Sequence, residues 1–397
     1  MADQPPAPQG RGGPAPSQVR EPGPEHGAGG PQHAEPRRTG PSRRAVIGTG
    51  VGVVAAGGLA AWAALRTGGG SGSPSGGGTA APSSSPAQTE TPFVPRQWIS
   101  GASGEGVADG SYAAARGTEV AVSATWFDNN EAMLELYTLQ PGAEFDGWDR
   151  PLDVSLGAID MDDEGETWAD AASGAYDDRW RESLTRLRDL WGGRQSTCYI
   201  RFAHEMNGDW YRWKVVADDV DDFKTAWGRY RAVQQEVFPA SKLVLCFNRE
   251  SVKSGYDWRD LYPGDWQVDV MGVDYYNQFP AVDTAEEWDA AMVLEDPYGG
   301  PKGLQGHLDF AKEVGLPLAV SEWSGNADEG DHPVFVQKMH EFFSRNGGTG
   351  AGEVLYEVQF NVDMAGADQK FLLVSPQTRM PQSQEAYTSL RWGDPTA

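Results

Sequence analysis

From Phe93 onward the chain alternates between short runs rich in apolar and β-branched residues and longer amphipathic stretches. Eight short runs stand out, at residues 96–102, 120–127, 152–159, 197–204, 242–248, 268–276, 317–323 and 353–360. Several are almost unbroken apolar segments, which suits strands covered on both faces. Between them, residues 177–191, 220–237, 303–314 and 333–346 carry helical spacing. In the third, Leu304, Leu308, Ala311 and Val314 fall on one face, and Gly315 followed by Pro317 marks the end. Strands that alternate with helices pair in parallel through crossover connections, so eight such units predict an α/β fold of the (β/α)8 TIM-barrel type. Sites in that architecture lie at the C-terminal ends of the strands, which selects the residues to inspect.

The preceding residues follow another pattern. Residues 1–42 are rich in Pro, Gly, Gln and Ala with almost no large apolar side chain, too little to offset the entropy of ordering them, so disorder is expected. Residues 43–66 open with Arg43 and Arg44 and continue through an uncharged stretch, 45–65, that is long enough to span a bilayer. They read either as a twin-arginine-like export signal or as an uncleaved membrane anchor, with the N-terminal end cytoplasmic in both cases. Residues 67–92, a Gly/Ser/Pro/Thr run, would be a flexible tether to a single folded domain at 93–397. That domain is therefore expected to be secreted or extracellular, either free or held at the membrane through residues 45–65.

Charge divides the same way. The whole chain has a formal net charge of −25, yet residues 1–70 hold seven Arg against four acids, leaving 25 basic and 53 acidic residues in the remainder. So acidic a domain excludes nucleic acid as a natural partner and suits a neutral substrate. The two cysteines, Cys198 and Cys246, lie at different distances from their strand ends, which argues for two buried free thiols rather than a disulfide.

At the end of the fourth run stands RFAHEMNGDWYRW, residues 201–213, which sets Glu205 beside His204 with Arg201, Asn207, Trp210, Tyr211 and Trp213 around it. Aromatic rings lie against the apolar faces of sugar rings while Asn, His and Arg reach hydroxyls, a mixture that a carbohydrate cleft requires. A zinc protease is excluded, because Gly208 occupies the position where a second metal-binding His would follow. The seventh run ends in a second carboxylate, Glu322, trailed by Trp323 and Gly325. Strands four and seven face each other across an eight-stranded barrel, so the two glutamates can converge on one glycosidic bond as the acid/base and nucleophile of a retaining hydrolase. Trp126 in the second run, Asn248 closing the fifth and Trp323 join them as substrate-binding or supporting residues.

The segment RFAHEMNGDWYRW resembles the acid/base signature of glycoside hydrolase family 26, the β-mannanase family within the large clan of (β/α)8 retaining enzymes. The resemblance extends over residues 97–392. It implies that Glu205 is the general acid/base and Glu322 the nucleophile, that His204 replaces the Asn found there in most of the clan, and that Trp210 is a subsite aromatic. In VDVMGVDYYNQ, Asp274 and Tyr276 match an Asp-x-Tyr pair whose tyrosine is expected to hydrogen-bond the nucleophile. Two positions depart from the family. Trp126 is followed by Phe127 and Asp128 where a His is usual, and the strand-eight Trp-Arg gives way to Gln359, Phe360 and Asn361.

The substrate is accordingly a β-linked polysaccharide, mannan first, with glucan and xylan open. A silent cell-surface carbohydrate-binding protein and a structural wall protein are the rivals from other classes. No cofactor and no metal are called for, and a monomer is expected. The acidic run at 160–166 begins like a calcium loop, but its twelfth position is Ala171, so a solvated loop beside the cleft is the reading preferred.

Overall fold

The computed structural model describes residues 94–364 and 368–394, so the expectations for a disordered tail, signal or anchor and linker at 1–92 lie outside the described residues. Eight parallel strands form one sheet: β1 (Ile99–Gly104), β2 (Ser123–Phe127), β3 (Leu152–Leu156), β4 (Cys198–Phe202), β5 (Lys242–Asn248), β6 (Val270–Tyr276), β7 (Leu318–Ser324) and β8 (Val354–Asn361). Their order, β1-β8-β7-β6-β5-β4-β3-β2, places each strand beside its sequence neighbour and returns the last to the first. Backbone bonds from Ala102 N to Val122 O (3.2 Å) and from Ala121 N to Ser100 O (2.9 Å) bring β1 alongside β2 and nearly close the barrel.

All eight sequence runs became strands, and the helices at Asp177–Trp191, Val220–Val237 and Pro333–Asn346 have the expected bounds. The helix at Leu304–Glu313 buries Leu304, Leu308 and Ala311, and Gly315 after it adopts φ +76°. In the first helix Trp180, Leu184, Leu187 and Trp191 repeat at helical spacing and are buried against the sheet. Trp180, Trp191 and Trp227 are core residues, as their place in helices implies. No helix among the described residues is long and apolar enough to cross a membrane.

Alternation along each strand gives the barrel two cores. Val122, Ala124, Tyr199, Val244, Cys246, Val270, Ala319, Tyr356 and Val358 form a cluster of their own inside, while a larger cluster packs between strands and helices. Cys198 belongs to the outer cluster and Cys246 to the inner one, so the sheet separates the two free, buried thiols.

Candidate active site

The interior changes character toward the C-terminal ends of the strands, where apolar filling gives way to charge. Arg201 on β4 is fully buried and donates from Nε to Asp153 on β3 (2.7 Å) and from Nη1 to Asp274 on β6 (3.2 Å) and Glu322 on β7 (2.8 Å). Burial opposes that charge, but the three acids hold the guanidinium protonated, with its pKa well above the usual arginine value. Asp274 is pushed well above the usual carboxylate range by burial and by Glu322, which together outweigh Arg201.

Glu322 rises from this floor into the cleft. Its carboxylate accepts three hydrogen bonds, from Arg201 Nη1, from Trp126 Nε1 (2.7 Å) and from the Tyr276 hydroxyl (2.7 Å). Burial and Glu322 raise the Tyr276 phenol well above its normal value, so it remains a donor. Both carboxylate oxygens are thereby fixed in place.

Glu205 sits opposite, just past β4, in a strained turn: Ala203 and Glu205 take φ +54° and +53°, a region non-glycine residues seldom occupy. Two attachments hold the turn. Glu205 N donates to Cys246 O on β5 (2.9 Å), and Asn207 bonds the β5 exit through Asn248 N (2.9 Å), Asn248 O (2.8 Å) and Glu250 O (3.1 Å). The Glu205 carboxyl has one donor, Trp210 Nε1 at 2.8 Å. Burial first and Glu322 second push it up to about 8. Gly208 makes the Trp210 contact possible, because a Cβ there would lie 2.5 Å from the indole.

These groups line a cleft of about 1040 Å³, counting space open to solvent. It brings together Glu205, Glu322, Trp126, Trp210, Asn248 and Tyr276 of the residues singled out in the sequence, with Arg201 and Asp274 directly beneath. Three others lie elsewhere. His204 is buried behind the wall with Nε2 on the Tyr211 hydroxyl (2.9 Å), and burial and Arg201 keep it neutral, with a pKa well below the usual histidine value. Trp213, with no exposed surface, stacks on Tyr211 (4.3 Å between centroids) and donates to His204 O, so it supports the loop and does not face a ligand. Trp323 follows Glu322 and therefore points to the other side of β7, where it packs on Trp392 and bonds Glu357. Asn207 and Arg201, expected to reach sugar hydroxyls, are instead engaged within the protein.

The cleft also holds Asp128, Tyr211 and Phe360, and with them Phe279, Lys370 and Phe371, which no strand-end pattern marked. Phe360, one of the departures on strand eight, stands edge-on to both Trp126 (5.4 Å) and Tyr276 (5.7 Å). Asp128 shares the inward face of β2 with Trp126, two residues earlier, and burial and Glu322 push it up to about 7. The acidic run at 160–166 is used in turns: Glu166 pairs with Arg179, and Asp160 accepts from Asn130 N and Asp162 N. Among the described residues no cluster of three or more His, Cys, Asp or Glu is arranged to hold a metal ion.

The description glycosyl hydrolase family 26 matches residues 161–302, the segment containing Glu205 and Asp274. Over 131 residues, 32% of this chain, the sequence is 25% identical to a mannan endo-1,4-beta-mannosidase of Bifidobacterium adolescentis. Over 111 residues, 26% of this chain, it is 30% identical to endoglucanase H of Acetivibrio thermocellus. The matched segment spans only 12% of the length of each relative. In fold, the protein is similar to an endo-beta-1,4-mannanase double mutant of Cellulomonas fimi, with a TM-score of 0.52 and 14% identity over 73% of this chain and 70% of that one. Over the segment that carries Glu205, the chain is similar to glycosyl hydrolase family 26 and to mannan endo-1,4-beta-mannosidases.

Proposed function

We propose that this chain is a retaining glycoside hydrolase that cleaves a β-linked, mannan-like polysaccharide by double displacement. The observation that carries the reading is the asymmetry of the glutamate pair: Glu322 is held by three donors, while Glu205 is buried beside it with one and is raised to about 8. Such a pair supplies an anion and a protonated acid at the same pH. In the first step a Glu322 oxygen bonds the anomeric carbon as the glycosidic C–O bond breaks, and Glu205 gives its proton to the departing oxygen. In the second, water transfers a proton to Glu205 and bonds the same carbon, releasing the sugar and restoring the Glu322 carboxylate. Trp126, Tyr276 and Arg201 orient the nucleophile throughout.

Glu322→Ala is expected to lower turnover by on the order of 10⁴-fold or more, even on activated aryl glycosides. Glu205→Ala should spare the first step on those substrates and let a glycosyl-enzyme accumulate, because a good leaving group needs no acid. Wild-type activity in Glu322→Ala would overturn the assignment. The names of the two relatives motivate mannan first and glucan second, so reducing ends should be measured on β-mannan, mixed-linkage β-glucan and β-xylan. Binding without new reducing ends on all three would favour a carbohydrate-binding protein instead.

The same substrate motivates export, since a polysaccharide is met outside the cell. Arg43, Arg44 and the uncharged stretch at 45–65 support passage through or attachment to the membrane. Cell fractionation of the parent and of a variant with Lys at 43 and 44 tests this; unchanged cytoplasmic retention of both would reject it.

A further inference from the structure

One cleft carboxylate is unused by the double displacement. Asp128 lies just beyond β2, on the face of that strand that also carries Trp126, and lines the same cavity as Glu205 and Glu322. Its Oδ1 is fully shielded yet has no hydrogen-bond partner, and its side chain as a whole keeps 27% of its surface open to the cleft. The nearest basic nitrogen, His204 Nε2, is 4.0 Å away and already engaged by the Tyr211 hydroxyl. Buried carboxylate oxygens are ordinarily satisfied, because the cost of stripping them of water is large. A carboxylate with no protein donor, whose side chain opens onto a ligand cleft beside its shielded Oδ1, therefore has its partner in the ligand. Above about pH 7, where Asp128 is ionised, its carboxylate accepts hydrogen bonds and offers none, and the donors a neutral sugar presents are its hydroxyls.

We propose that Asp128 is a specificity-determining residue of the cleft, accepting hydrogen bonds from hydroxyls of the sugar unit seated over Glu322 and restricting that position to neutral sugars. An acidic sugar in the same place would set a third anion against Asp128 and Glu322. The inference rests on the glycoside hydrolase reading for its substrate class, and on the unpartnered oxygen for its residue.

The test is Asp128→Asn and Asp128→Ser, assayed on the β-linked oligosaccharides that the parent cleaves. Both variants are expected to fold and to melt no lower than the parent, since no protein donor depends on this side chain. Losing a hydrogen bond to a charged group should lower kcat/KM by about 10- to 100-fold, with the change mainly in KM. A kcat/KM within about twofold of the parent would overturn the inference while leaving the hydrolase reading intact. Loss of the fold in both variants would also overturn it, because the carboxylate would then serve the protein. Direct binding of the same oligosaccharide in a Glu322→Ala background separates the two failures. A parent without activity whose affinity still falls about 10-fold or more on Asp128→Asn would sink the hydrolase reading and sustain this one.

Discussion

Glu205 and Glu322 are the same residue type at corresponding ends of two strands, and their neighbours give them different chemistry. Burial and the facing Glu322, which raise Glu205 to about 8 against the single Trp210 donor, also couple its protonation to folding. In the unfolded chain a glutamate titrates near about 4.3. Between about 4.3 and about 8 the folded protein holds a proton that the unfolded chain has released, so stability is full below that window and falls as pH rises through it. Glu205→Gln removes the titration and keeps an acceptor for Trp210. It should raise unfolding free energy by about 1–4 kcal/mol at pH values above about 8, with no gain near about pH 4. Urea titrations across that range check the sign, and a gain independent of pH would refute the linkage. In the parent, kcat/KM should fall as pH rises through about 8, where the acid loses its proton.

At the scale of elements, strand ends are held in register by side chains that the sequence presents as ligand groups. Asn207 reads as a hydroxyl-binding residue beside Glu205, but its amide joins the exits of β4 and β5 through three hydrogen bonds. Asn207→Ala should leave the buried backbone N–H and C=O of Asn248 without their side-chain partner, costing about 1–3 kcal/mol. It should also lower kcat, because the Glu205 turn loses its attachment. Equilibrium unfolding with steady-state kinetics tests both effects, and parent-like values for both would dismiss the role. The eight strands were legible because apolar runs between turns are a local signal, and Glu205 and Glu322 because their places at strand ends are local too. Of the two roles expected for Trp213 and Trp323, substrate-binding or supporting, both take the supporting one, since proximity in sequence is not proximity to the ligand. The period-two alternation of β7 already sends Trp323 away from Glu322. Lys370 and Phe371 reach the cleft from beyond β8, and a long loop carries no periodic signal that would place them there.

For the whole molecule, the decisive step is closure. A sheet of eight strands leaves two edges until β1 meets β2, and that junction runs through a close backbone approach at Gly101. A Cβ on Gly101 would lie 1.8 Å from Val122 O and 2.6 Å from its carbonyl carbon, so it would strike rigid backbone and not a side chain able to turn aside. Arg116, 2% exposed, clasps the same junction by donating to Glu119 O (2.8 Å), Ser100 O (3.4 Å) and the Tyr387 hydroxyl (3.1 Å). Because Trp126 on β2 and Phe360 on β8 face each other across β1, an open seam would also move the walls that surround Glu322. Gly101→Ala should therefore destabilise the barrel by on the order of 3 kcal/mol or more. Gly193→Ala, at a site with nothing within 4 Å, should be nearly neutral. Thermal unfolding compares the two, and hydrogen exchange locates the damage. Faster exchange in β1 and β2, with β4 to β6 still protected, is the pattern that closure at Gly101 requires, whereas an unaltered seam would show that the strands can part without cost.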